Sequence, residues 1–248
     1  MKKRIALVTG GTGDIGSAIC RELARLGHVV VAGYYPPEKE SADAWQERKR
    51  GKGFSIPIVP IDVSSYEDCE RAVNAITDEF GPVEILVNCA GITRDGTLKK
   101  MSEDNWQAVM STNLDSVFHV TRHVINDMLA SGWGRIINVA SVNGQRGQFG
   151  QANYASAKAG MHGFTMAVAL ETAAKGITVN TVSPGYIATA MTESMPENVR
   201  ESIVASIPMR RMGTPEEIAH AVSWLASEEN AYTTGANIPV NGGLFTSH

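Results

Sequence analysis

Cysteine is scarce and unpaired: Cys20, Cys69 and Cys89 are the three in 248 residues, and no two stand in a C-x-x-C spacing. Such usage suggests neither a disulfide framework nor a zinc site, so no metal is expected and a reducing cytoplasm suits the chain. Charge of either sign is also in short supply, with 22 basic against 26 acidic side chains and a formal net charge of -4. A mildly acidic chain argues against a general surface for nucleic acid or anionic membrane. Long apolar runs are missing. The start, residues 1–4, is basic like a secretory leader, but the apolar run from Ile5 to Val8 breaks at once into T-G-G-T-G, which is too short for a leader's apolar core. No stretch reaches the roughly 20 apolar residues of a membrane span. Repeats, low-complexity tracts and linkers are absent too. With 43% hydrophobic and 19% charged residues, the chain is expected to form one domain over residues 1–248, large enough to bury a core without staples.

What is present is an alternation of strand-like and helix-like segments, and this predicts an α/β fold: a parallel sheet covered by helices on both faces. Residues 4–9, 28–33, 56–61, 83–88, 135–141 and 177–183 read as strands, and 238–240 as a short seventh. Apolar residues at Ile15, Ile19, Leu23 and Leu26, closed by Gly27, have helical spacing. Helices are expected over 64–79, 102–131 and 151–175, and a polar surface helix within 36–53.

Directly after the first strand, and before the first helix, comes Thr9-Gly10-Gly11-Thr12-Gly13-Asp14-Ile15-Gly16. Glycines there let backbone approach a pyrophosphate, whose charge suits the free amides and dipole of a helix N-terminus. Tyr154 and Lys158, in Y-A-S-A-K with Ser141 thirteen positions upstream, form the second feature. Positions i and i+4 share a helix face, so the ammonium can sit beneath the phenol and favour its ionised form. Alone, the pair reads equally as a packed ring beside a solvated lysine.

Together these residues resemble the short-chain dehydrogenase/reductase family over almost the whole chain. The family's T-G-x-x-x-G-x-G turn is similar to residues 9–16, with Asp14 where the middle glycine is usual; this puts a carboxylate near the pyrophosphate or transfers the close approach to Gly13. Its N-N-A-G segment resembles Asn88-Cys89-Ala90-Gly91, changed at Cys89. The resemblance implies a Rossmann-type fold and NADPH or NADH as cofactor. Asn113, Ser141, Tyr154 and Lys158 would then be the catalytic tetrad: Tyr154 the general acid, Ser141 a donor to the carbonyl oxygen, Lys158 lowering the tyrosine pKa and holding the ribose, and Asn113 keeping a water in a proton relay or capping a helix kink. Cofactor contacts would come from Gly10, Thr12, Gly13, Asp14, Ile15, Gly16, Tyr34, Tyr35, Asp62, Val63, Asn88, Ala90 and Gly91, and, around the nicotinamide, from Tyr154, Lys158, Pro184, Gly185, Ile187 and Thr189. Asp62 has a plain alternative as the cap of the helix beginning near Ser64.

Within the family, residues 91–95, 143–151 and 183–189 closely resemble the members that reduce acetoacetyl-CoA to (R)-3-hydroxybutyryl-CoA for polyhydroxyalkanoate synthesis. Substrate contacts implied are Ser141, Gln148, Phe149, Gln151, Tyr154, Gly185 and Tyr186, with amides for the carbonyls and rings limiting acyl length. Arg146, Arg210 and Arg211 could meet CoA phosphates. A 3-oxoacyl-carrier-protein reductase shares the tetrad and stays open, as does, remotely, a dinucleotide sensor without turnover. The partner is thus a small acyl-CoA, and a homotetramer built on 102–131, 151–175 and the last strand is implied. At the second strand's tip, Gly33-Tyr34-Tyr35-Pro36-Pro37-Glu38-Lys39-Glu40 has no acid on the tip itself, which admits a 2′-phosphate, but two glutamates against one lysine just after it. The family favours NADPH and the local charge NADH.

Overall fold

Seven parallel strands carry the chain in the computed structural model, which describes residues 2–246. They are β1 (Ile5–Val8), β2 (Val29–Tyr34), β3 (Ile58–Pro60), β4 (Ile85–Asn88), β5 (Gly134–Val139), β6 (Ile177–Pro184) and β7 (Asn237–Val240). In space they run β3-β2-β1-β4-β5-β6-β7. Between them lie α1 (Asp14–Arg25), α2 (Lys39–Arg50), α3 (Tyr66–Phe80), α4 (Glu103–Met110), α5 (Ser116–Ser131), α6 (Asn143–Arg146), α7 (Ala152–Thr172), α8 (Ala190–Glu193), α9 (Glu197–Ser206) and α10 (Pro215–Ala226). This is the doubly wound α/β fold that the alternation predicts.

Strand alternation explains the layering, because successive side chains point to opposite faces. Ala6, Val8, Val30, Ala32, Ile85, Val87 and Ile137 pack with Ile19 and Leu23 of α1 and Ile218 and Val222 of α10. Leu7, Val31, Leu86, Ile136 and Val179 pack on the other side with Val73 and Ile76 of α3 and Val120 and Val124 of α5. Both faces are buried, so the strands read as continuous apolar runs. A polar chain crosses this core: Asn88 Nδ2 donates to Asn138 Oδ1 at 2.8 Å, Asn138 Nδ2 to Thr165 Oγ1 at 2.9 Å, and Thr165 and Thr181 share a hydroxyl bond of 2.8 Å. Such a satisfied network fixes the register of β4, β5, β6 and α7, since any slip would leave buried polar groups unpaired.

Three features differ from the sequence reading. The helix expected over 102–131 is interrupted by a π-helical turn, Ser111–Asp115. The helices α8, α9 and α10 fill residues 190–226, for which no element was assigned. Signals for α10 were present: Thr214 and Glu217 form a reciprocal capping box with Pro215 at the first position. Thirdly, α3 is capped three residues later than the Asp62 alternative requires. Its cap is Ser65, which accepts from Asp68 N–H at 3.2 Å.

Candidate active site

Strand order turns back between β1 and β4, so the segments leaving these two strands diverge and leave a crevice at their carboxyl ends. Thr9 joins the two segments, its Oγ1 accepting from the N–H of Cys89 at 3.0 Å and of Ala90 at 3.2 Å. Gly10 has φ of 61°, and a Cβ there would come within 2.9 Å of Ala90 Cα. Only glycine allows that approach. Cys89 joins the contact through its amide, which any residue supplies; burial pushes its thiol up to about 11 and keeps it protonated.

At the start of α1 the chain tightens through Gly13 N–H to Gly10 O at 3.1 Å, and Ser17 N–H to Gly13 O is 2.7 Å. Among the described residues no protein acceptor meets the N–H of Asp14, Ile15 or Gly16. Three unpaired amides at a helix N-terminus fit a pyrophosphate. The carboxylate of Asp14 engages none of them; Oδ2 accepts instead from Ala190 N–H at 2.9 Å, across the crevice at the start of α8.

The four tetrad positions reach one end of the sheet from three directions. Ser141 follows β5 and is buried, its Oγ accepting from Asn143 N–H at 3.1 Å. Tyr154 and Lys158 lie in the first two turns of α7, with the lysine Nζ 5.7 Å from the centre of the Tyr154 ring. Asn113, fully buried in the π turn, clamps the loop after β4: Oδ1 accepts from Ile92 N–H at 2.8 Å and Nδ2 donates to Ile92 O at 2.9 Å. The helix kink considered for Asn113 is therefore present, and a π turn displaces the regular ladder of carbonyl acceptors at that point. A Cβ on Gly91 would meet Asn113 Oδ1 at 3.2 Å and Lys158 Nζ at 3.5 Å, so the β4 loop, the π turn and α7 converge there.

Electrostatics in this cluster depart from the expectation that Lys158 lowers the tyrosine. Burial raises the Tyr154 pKa, and the opposing influence is hydrogen bonding with Ser141. Lys158, buried and donating to Val139 O at 2.8 Å, is itself pushed down to about 8. The physical reason is desolvation, which disfavours the charged form of both groups and so raises the phenol and lowers the ammonium.

Other predicted positions divide into engaged and available. Tyr34 is buried at the end of β2 and Tyr35 is half-exposed beyond it. Lys39 is ion-paired with Asp43 at 2.7 Å. Asp62 Oδ1 accepts from the N–H and hydroxyl of Ser64, and Val63 is buried. Asn88 is committed to Asn138 inside the sheet. Pro184 ends β6, Gly185 N–H donates to Val240 O, and the Ile187 side chain is buried in the core while its carbonyl accepts from Thr192 Oγ1 at 2.9 Å. Thr189 caps α8, and Thr12 is partly exposed on the glycine-rich turn. Gln151 is fixed at both ends of its amide, by Asn143 and by Asp95, each at 2.9 Å. Gln148 and Phe149 are exposed, Phe149 at 88%, and Tyr186 is half-buried. Arg211 is taken by Glu217, and Arg210 donates to Ala205 O, whereas Arg146 makes only a 3.4 Å contact with Gln148.

Two supporting residues escaped the sequence reading. Thr9 is one; Asn153 is the other, fully buried, accepting from Tyr154 N–H at 2.8 Å and donating to Arg94 O at 3.0 Å. Its position beside the tyrosine was the available signal.

A family model described as enoyl-(acyl carrier protein) reductase matches residues 11–245. The chain is 60% identical over 242 residues to an acetoacetyl-CoA reductase of Allochromatium vinosum, covering 98% of each sequence. It is 52% identical to an acetoacetyl-CoA reductase of Cupriavidus necator, over 98% of this chain and 99% of that one. A 3-oxoacyl-[acyl-carrier-protein] reductase of Pseudomonas aeruginosa is 44% identical, over 100% of this chain and 99% of the relative.

Proposed function

The chain belongs to the short-chain dehydrogenase/reductase family, and on that premise we propose that it reduces the 3-oxo group of acetoacetyl-CoA to (R)-3-hydroxybutyryl-CoA. It is an NAD(P)H-dependent oxidoreductase. The observation that carries the substrate is the likeness at 60% and 52% identity, over nearly the full length, to two proteins named for that reaction. The likeness to a carrier-protein reductase is lower, at 44%.

A reduced nicotinamide dinucleotide held by these residues would supply the hydride for the carbonyl carbon. The side chains do the rest. Tyr154, whose raised pKa keeps it protonated at neutral pH, gives its proton to the carbonyl oxygen as negative charge develops there. Ser141 holds that oxygen by a hydrogen bond. Lys158 is charged at neutral pH and, with a pKa of about 8, lies within reach of proton exchange with the phenolate that forms. Asn113 anchors the loop after β4, close to Lys158 at Gly91. Gly10, Thr12, Gly13, Ile15 and Gly16 seat the pyrophosphate, Tyr34, Tyr35, Asp62 and Val63 the adenosine half, and Asn88, Ala90 and Gly91 the rim between them. Residues Pro184, Gly185, Ile187 and Thr189 hold the nicotinamide end. Gln148, Phe149, Gln151 and Tyr186 take the acyl group; the fixed amide of Gln151 supports that assignment, and Phe149 is free to close over a short chain.

The cofactor is read as NADH. Lys39 is the one cation in residues 33–40, and Asp43 neutralises it, leaving Glu38 and Glu40 in the segment just after the β2 tip. Assembly is read as a cytoplasmic homotetramer: Phe118 of α5 and Met166 and Leu170 of α7, on the two helical segments expected at the interface, are large apolar side chains left exposed. The deciding experiment is cofactor oxidation with acetoacetyl-CoA beside an acetoacetyl carrier protein. A higher kcat/KM on the CoA thioester is expected; the reverse order would transfer the chain to the carrier-protein reductases.

A further inference from the structure

The geometry points to Asp14 as a positioning residue that ties the cofactor turn to the segment after β6, a role that rests on the reductase reading above. Asp14 opens α1 at the glycine-rich turn, and Ala190 opens α8, 176 positions later; their 2.9 Å bond spans the crevice. Among the described residues it is the one hydrogen bond joining residues 9–16 to residues 184–190. Among the described residues, the other backbone hydrogen bonds of that segment are made within its own half of the sheet. Gly185 N–H donates to Val240 O at 3.0 Å, Ala188 N–H to Gly213 O at 2.8 Å, and Gly213 N–H to Tyr186 O at 2.9 Å. Thr189 N–H is satisfied by Thr192 Oγ1 at 2.8 Å, while the next amide, that of Ala190, finds its acceptor only in Asp14.

The bond also settles what a carboxylate does in a turn built for a phosphate. Unpaired, it would oppose an anion seated on the amides of Asp14, Ile15 and Gly16. Bound to Ala190, it keeps its charge but adds a link between the cofactor turn and residues 184–189, which carry Tyr186 of the acyl pocket. Glycine at this position would lose both charge and link. Charge and link are separable, because asparagine keeps an acceptor oxygen without the charge and alanine keeps neither.

Asp14→Ala and Asp14→Asn test this on the protein without cofactor by hydrogen exchange over residues 184–206. Asp14→Ala should exchange about three- to tenfold faster there, as expected for loss of one charge-assisted hydrogen bond at an exposed site, and Asp14→Asn should stay near the parent. In turnover, Asp14→Ala should raise the KM for acetoacetyl-CoA by about the same factor with kcat changed less than about twofold, and Asp14→Asn should restore it. Fluorescence titration should show reduced dinucleotide binding about equally tighter in both variants, since both remove the charge. Equal exchange in parent and Asp14→Ala, or equal KM in Asp14→Ala and Asp14→Asn, overturns the tether. A parent that binds dinucleotide but does not reduce acetoacetyl-CoA would defeat the substrate reading instead, and the exchange comparison would still decide the tether.

Discussion

Replacing Lys158 with methionine should make the protein more stable at neutral pH, although it removes a tetrad residue. Lys158 is 3% exposed, and burial moves its pKa from 10.5 to about 8. A depressed lysine means that the unfolded chain holds the proton more tightly than the folded one, so the charged form opposes folding. Below pH 8 both states are protonated and the penalty is complete; it is relieved as pH rises from about 8 towards 10.5. At about 1.4 kcal/mol per pKa unit, the drop corresponds to roughly 3 kcal/mol at pH 7. Methionine removes the penalty but leaves Val139 O without its 2.8 Å donor, which returns about 1 to 2 kcal/mol. The net expectation is a Lys158→Met protein more stable by about 1 to 2 kcal/mol at pH 7. Urea unfolding at fixed protein concentration, run on both proteins at pH 7 and pH 9.5, measures it. The parent should gain about 2 kcal/mol relative to the variant across that interval, because most of its lysine is then neutral when folded. A stability difference independent of pH would refute the reasoning.

Catalysis gives three further tests. Tyr154→Phe keeps the ring but loses the proton, so dinucleotide binding should persist while kcat falls by about a hundredfold or more; undiminished turnover would remove Tyr154 as the acid. Carbonyl reduction needs Lys158 charged, so kcat/KM should be level below its pKa of about 8 and decline as pH rises through it; a decline starting only near pH 10 would separate the rate from Lys158. For the cofactor, kcat/KM should be higher with NADH than with NADPH, and the order should reverse when Glu38 and Glu40 are both replaced by arginine. A parent that prefers NADPH would show that the 2′-phosphate finds a cation beyond the β2 tip.

Much of this was legible along the chain. The strands are buried on both faces, so each appears as a local apolar run, and the all-parallel sheet follows from their alternation with helices. The glycine-rich turn and the Tyr154–Lys158 pair are also local, set by a strand-to-helix junction and by one helical turn. What was not legible depends on contacts between distant segments. The break in the 102–131 helix has no proline or glycine to announce it; Asn113 and Ile92, 21 residues apart, bond to each other there. Thr9 was read as part of a phosphate turn, but its hydroxyl accepts from Cys89 and Ala90 in the segment after β4. By contrast, the cap on Thr214 was a local signal that was passed over.

Sequence by itself determined the fold class, a turn suited to a phosphate and the Tyr154–Lys158 pair on one helix face, because periodicity, glycine placement and i,i+4 spacing act within a few residues. Tertiary structure decided how those groups behave. Burial by segments from three parts of the chain raises Tyr154 and brings Lys158 down to about 8, since desolvation depends on everything packed around a charge. The partner of Asp14 was decided there too: in sequence it is a carboxylate out of place in a glycine-rich turn, and only folding brings the Ala190 amide to meet it.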